Sequence, residues 1–81
     1  MVRIEGIMRL ADVPIETWVQ VTVLSTREAV RAKLAQHGLY PGDRLRVVRT
    51  APLGGPLLIQ VNGRELAIGR GVAESIIVRE L

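Results

Sequence analysis

The stretch from Leu34 to Pro56, LAQHGLYPGDRLRVVRTAPLGGP, limits what this chain can fold into more than any other. Gly38 suits a helix end, where the backbone turns left-handed. Tyr40-Pro41-Gly42-Asp43 is a turn signal, because proline presets the first central residue and glycine supplies positive φ at the second. Arg44 to Arg49 alternates polar and apolar residues, as a half-buried strand does. Ala51-Pro52-Leu53-Gly54-Gly55-Pro56 excludes regular structure, with two prolines and two glycines in six positions. A helix end, a corner, a strand and a shaped loop therefore follow one another in fixed order.

On either side of this stretch the chain reads as short strands. Val2 to Met8 is an N-terminal arm. Leu10 to Pro14 is an entry turn, in which Asp12 is expected to accept backbone hydrogen bonds and Pro14 stops any helix. Thr17 to Leu24 is a strand rich in β-branched residues, with Val19, Val21 and Val23 on one face and Trp18, Gln20 and Thr22 on the other. Ser25-Thr26-Arg27-Glu28 has the capping-box form, so a helix is expected from about Thr26 to His37, burying Val30 and Leu34. Arg27, Arg31 and Lys33 then face solvent. Leu57 to Val61 and Arg64 to Ile68 flank Asn62-Gly63, a type I′ hairpin signal. Gly69-Arg70-Gly71 breaks the second of these strands, Val72 to Ser75 is read as one helical turn, and Ile76 to Leu81 closes the chain.

About five strands and one helix favour a mostly β fold, a small antiparallel barrel with the helix between its first two strands. Closure would also remove the exposed edges of so small a sheet. Eighty-one residues suit one domain, 1–81, with 1–8 as the arm. Without Phe, and with one Trp and one Tyr, the core falls to Val, Ile, Leu and Ala. Without cysteine there is neither a disulfide framework nor a thiolate metal site. No apolar run approaches the roughly 20 residues of a membrane helix. The charged, alternating start MVRIEGIMRL lacks the apolar centre of a signal peptide, so a cytoplasmic protein is expected.

Chemistry is sparse. His37 is the one histidine, Ser25 and Ser75 are the two serines, and the acids are scattered over turns and solvent-facing strand positions. No nucleophile–base, metal or phosphate-loop motif is present, so no enzyme is expected. His37 is the weak candidate for a metal ligand; a protein site normally needs several ligands, and a cation at this position also suits the helix dipole. Arg44, Arg46, Arg49 and Arg64 read either as a phosphate-contacting face or as ordinary solvent-facing polarity on strands. The net charge of +3 is modest and only Trp18 and Tyr40 could stack bases, so no nucleic acid is expected. Leu53, held between Pro52 and Gly54, either folds back onto the core or offers an apolar tip to a partner.

The whole order of segments resembles the FeoA family, the ferrous iron transport protein A domain. The resemblance is carried by Leu10-Ala11-Asp12-Val13-Pro14, by Arg31 to Leu39, by Pro41-Gly42, and most strongly by Val47-Val48-Arg49 leading into Ala51 to Pro56. Leu66-Ala67-Ile68, Ala73 and the Ile-Val-rich last strand continue it. Glu16 stands where the family usually has glycine, and His37 where it often has Met or Leu. The resemblance implies an SH3-like barrel and a small cytoplasmic accessory of bacterial ferrous iron uptake, acting with the GTP-binding region of a FeoB-type membrane transporter. Iron enters through the family alone. The implied mechanism is binding, in which a preformed barrel presents its helix, the Leu39-Tyr40-Pro41 corner and the Pro52-Leu53-Gly54-Gly55 loop to the partner. Homo-oligomers are compatible with the barrel edges and the apolar loop. Two other readings stay open: a transition-metal-binding or sensing barrel using His37 with nearby carboxylates, and a nucleic-acid-binding small barrel.

Overall fold

The computed structural model describes residues 6–24 and 27–81. Six strands form one antiparallel sheet: β1 (Ile7–Arg9), β2 (Trp18–Val23), β3 (Arg44–Thr50), β4 (Leu57–Val61), β5 (Arg64–Ile68) and β6 (Ile77–Glu80). Their order is β1-β6-β2-β3-β4-β5. The helix α1 (Glu28–Gln36) joins β2 to β3, and a single turn, α2 (Arg70–Ala73), joins β5 to β6. The mostly β architecture with one helix between the first two barrel strands is as expected. The extra strand is the end of the N-terminal arm, where Ile7, Met8 and Arg9 pair with Arg79, Val78 and Ile77.

The sheet coils around one cluster of Val, Leu, Ile and Ala side chains. Leu10, Val19, Leu39, Leu45, Val47, Ile59, Val61, Ile76 and Val78 are fully buried within it. Burying a Val, Leu or Ile side chain contributes about 1.5–3 kcal/mol. A domain of this size depends on such a cluster.

Several local signals hold in detail. Leu39 N–H donates to Leu34 C=O at 3.0 Å and Gly38 N–H to Ala35 C=O at 2.9 Å, with Gly38 at φ +82°. This is the Schellman arrangement, sealed by buried Leu34 and Leu39. At the corner, Gly42 takes φ +92° and Asp43 N–H reaches Tyr40 C=O at 3.1 Å, a type II turn. Asn62 and Gly63 take φ +53° and +77°, the type I′ hairpin.

Other expectations are corrected. Val23 does not continue the inner face; it is 46% exposed. The register slips between Val21 and Val23, so Thr22 becomes the extra residue of a bulge and its hydroxyl donates to Ile77 C=O at 2.9 Å. Alternation is inverted beyond the bulge, and Leu24 takes the buried place. The helix begins at Glu28 with Arg27 as its cap residue, and the Arg27 side chain makes no capping hydrogen bond. Ser25 and Thr26, the start of the expected capping box, lie outside the described residues. The helix stops at Gln36, leaving His37 as its C-cap. Asp12 accepts from the Arg9 guanidinium at 2.9 and 3.2 Å rather than from the backbone. The α2 turn starts two residues before the expected Val72, because extended Gly69 serves as its N-cap and accepts from Ala73 N–H at 2.9 Å.

Closure is incomplete at the level of hydrogen bonds. Among the described residues the sheet ends at β1 and β5, so β5 has no second strand beside it. The helix α1 lies beside that edge.

Candidate functional site

The β3–β4 connection is a rigid projection. Ala51 N–H donates to Pro56 C=O at 3.0 Å and Gly55 N–H to Pro52 C=O at 3.1 Å, which leaves Leu53 and Gly54 as the tip. Both tip residues are left-handed, at φ +59° and +71°. For leucine that conformation costs about 1–2 kcal/mol. Its side chain recovers nothing by burial, since Leu53 is 103% exposed. Of the two outcomes open for Leu53, projection is the one realised. Pro52 and Gly54 are exposed beside it, and Gly55 is partly covered. A Cβ on Gly55 would sit 2.7 Å from the Ala51 Cβ, so the close approach of the two loop arms requires glycine there.

The corner is built differently. Leu39 is fully buried and offers no side chain to a partner, because it seals the end of α1. Tyr40 is half-exposed and its hydroxyl donates to Ala35 C=O at 3.2 Å. Pro41 is exposed. The corner is stitched to β2 by Gly42 N–H to Val21 C=O at 2.7 Å and by the Gln20 amide to Gly42 C=O at 3.0 Å.

Corner and loop lie at opposite ends of β3, roughly 25 Å apart along the strand. The candidate contact residues therefore fall on two separate parts of the surface. The loop stands at the end of the sheet where Leu57 pairs with Ile68. The corner stands at the end where Arg64 donates to His37 C=O.

Two arginines of the expected basic face are engaged within the molecule. Arg46 lies 5.4 Å from the Trp18 ring centre, donates to Gln60 at 2.7 Å and pairs with Glu16 at 2.6 Å. Arg64 holds the end of α1. Arg44 and Arg49 are exposed. Glu16 takes φ +71° as the third residue of a turn closed by Thr17 N–H to Pro14 C=O at 3.3 Å. It thus performs the backbone role of glycine while its N–H donates to Val47 C=O at 2.8 Å. Sequence reasoning missed the Trp18–Arg46–Glu16–Gln60 group; the cross-strand pairing that assembles it involves residues up to 44 positions apart.

His37 is exposed. Among the described residues no three His, Cys, Asp or Glu side chains converge where they could hold a metal ion. No helix among them is long and apolar enough to cross a membrane. Sequence reasoning also missed a groove of about 470 Å³ between α1 and β5, floored by Leu34, Leu66 and Ile68.

Comparison with known proteins places these features in context. The FeoA domain profile matches residues 8–80. A crystal structure of an iron uptake regulatory protein (FeoA) is 32% identical, with a TM-score of 0.84 over 93% of this chain and 99% of that one. The FeoA protein of Chlorobium tepidum is 38% identical, with a TM-score of 0.83 over 91% of this chain and 70% of that one. The zinc complex of Stenotrophomonas maltophilia FeoA is 28% identical, with a TM-score of 0.69 over 88% of each chain. That protein is described as an SH3 domain protein and a candidate activating factor for bacterial ferrous iron transport. No curated protein matches this chain at the level of sequence.

Proposed function

The chain belongs to the FeoA domain family, and from that premise we propose that it is a small cytoplasmic accessory of bacterial ferrous iron transport that binds the GTP-binding region of a FeoB-type transporter. It acts by contact, without a catalytic centre of its own. The observation that carries the reading is Leu53. A fully exposed leucine in a left-handed conformation is unfavourable in water on two counts, and both are offset when a partner pocket covers it. Pro52 and Pro56, with the two loop hydrogen bonds, hold the tip in place before binding, so little entropy is lost on contact.

The test is calorimetric titration of the chain into the soluble GTP-binding region of the transporter from the same cell, with and without guanine nucleotide. Wild type is expected to bind saturably. Leu53→Asp, at a site with no fold contacts to lose, is expected to weaken binding at least ten-fold with an unchanged melting curve. Equal affinity of Leu53→Asp and wild type would remove the loop from the contact. Absence of binding with either form of the nucleotide would overturn the transporter reading.

A further inference from the structure

We propose that the edge of β5 beside α1 is a docking site for an extended peptide carrying alternating apolar and acidic residues, which adds to the sheet as a seventh strand. This goes beyond the transporter reading and does not rest on it, because it uses another surface and another kind of contact.

The two-residue hairpin at Asn62-Gly63 makes Val61–Arg64 the first bonded pair of the β4–β5 ladder, followed by Ile59–Leu66 and Leu57–Ile68. The intervening residues Glu65 and Ala67 therefore direct their N–H and C=O groups away from β4. Among the described residues β5 pairs with β4 alone, so these groups meet no second strand. Protected edges carry a bulge, a proline or a covering element. β5 has five regular pairs with β4, no proline and no bulge; Arg64 and Glu65 are its charged residues, and α1 stands across a groove from it, joined through the Arg64 side chain at one end.

A bare edge alone specifies no ligand; the groove beside it does. Val30, Lys33 and Leu34 of α1, one to four residues apart on one helix face, look across at Leu66 and Ile68. Val30, Leu66 and Val72 are only partly buried. A strand laid along β5 would direct every second side chain into this space, as in other cases of strand addition beside a helix. Main-chain bonds would supply the anchoring and the groove the choice of side chain.

The charge of the groove sets the rest of the chemistry. Its lining contains Lys33 and His37 and no acidic side chain. Lys33 is exposed and has no ion-pair partner among the described residues. Arg64, also cationic, stands at the corner end. An acidic peptide complements this rim, whereas a second copy pairing through its own β5 would bring two identical cationic rims together. An extended peptide is thereby favoured over self-pairing.

The experiment follows the amide signals of the labelled full chain by NMR during titration with a soluble ten-residue peptide alternating valine and glutamate. The control peptide has lysine in place of glutamate. Saturable shifts are expected at Glu65, Ala67 and Gly69 and at Val30 and Lys33, with the glutamate peptide binding at least ten-fold more tightly. Ala67→Pro removes an outward N–H without touching the β4 ladder and is expected to weaken binding at least ten-fold with the remaining spectrum preserved. Lys33→Glu, on the exposed helix face, is expected to reverse the preference between the peptides. Leu53→Asp is expected to bind as wild type, which separates this site from the transporter contact. Shifts confined to other surfaces, equal affinity for both peptides, or wild-type affinity in Lys33→Glu would overturn the proposal. So would the same shifts appearing with protein concentration alone, since the occupant would then be a second copy.

Discussion

The Arg64 guanidinium, at the first residue of β5, donates to the main-chain carbonyl of His37, the residue that ends α1. The contact joins a hairpin to a helix end 27 residues away in sequence. It also passes directly over Gly38, where the space of an added Cβ is occupied by the guanidinium. Glycine at 38 is thus required by its φ of +82°, and an added Cβ would in addition push the end of the flexible Arg64 side chain off its hydrogen bond.

Gly38→Ala should therefore destabilise by more than the roughly 1–2 kcal/mol of a left-handed alanine alone. Arg64→Ala, which frees the same space but leaves the φ, should cost about 1 kcal/mol. In the double variant the alanine at 38 no longer meets the guanidinium, so its cost should fall. Urea unfolding of the four proteins measures this coupling, and strict additivity would show that the two residues do not interact.

Leu34 is buried against Leu39 at the helix end. Leu34→Ala should cost about 2–5 kcal/mol, because the Schellman backbone holds the gap open rather than letting it collapse. A melting curve equal to that of wild type would place Leu34 outside the core.

Leu53→Asn should raise stability by up to about 1 kcal/mol, since asparagine tolerates the left-handed region and no burial is lost. The same variant should lose affinity for the transporter region. A stability gain with a binding loss would mark Leu53 as a residue kept for contact at the expense of the fold. Chemical denaturation and titration calorimetry on one preparation read both quantities.

Glu16 sets a smaller contest. Its exposed pair with Arg46 contributes about 0–1 kcal/mol, and its left-handed backbone costs about 1–2 kcal/mol. Strain should win. Glu16→Gly is expected to be neutral or stabilising and Glu16→Ala destabilising by up to about 1 kcal/mol. Thermal melts of both variants decide it, and Glu16→Gly melting well below wild type would mean that the Arg46 contact is worth more than its exposure suggests.

What the sequence by itself determined lies where local chemistry decides the backbone. Gly38, Pro41-Gly42 and Asn62-Gly63 each take the positive φ their residue types favour, and the hairpin strands begin and end at the expected residues. The alternation expected of β3 holds from Arg44 to Val47, with Leu45 and Val47 inside, and the register slips at Val48. The FeoA resemblance was likewise legible, since it rests on the order of these segments.

Long-range pairing decided the rest. The bulge at Thr22 turns Val23 outward because β6, more than fifty residues later, sets the register there. Leu39 and Tyr40 are adjacent, yet one seals the core and the other meets solvent, according to where α1 packs. Nothing in Arg64 to Ile68 announces an open edge, since edge or centre depends on which strands assemble beside it. The separation of corner and loop has the same origin: the two are near in sequence, but an extended strand separates its ends by its full length. Local conformational preference fixes φ and turn type over a few residues, whereas register, edge and face are settled by the packing of segments that meet only when the whole chain folds.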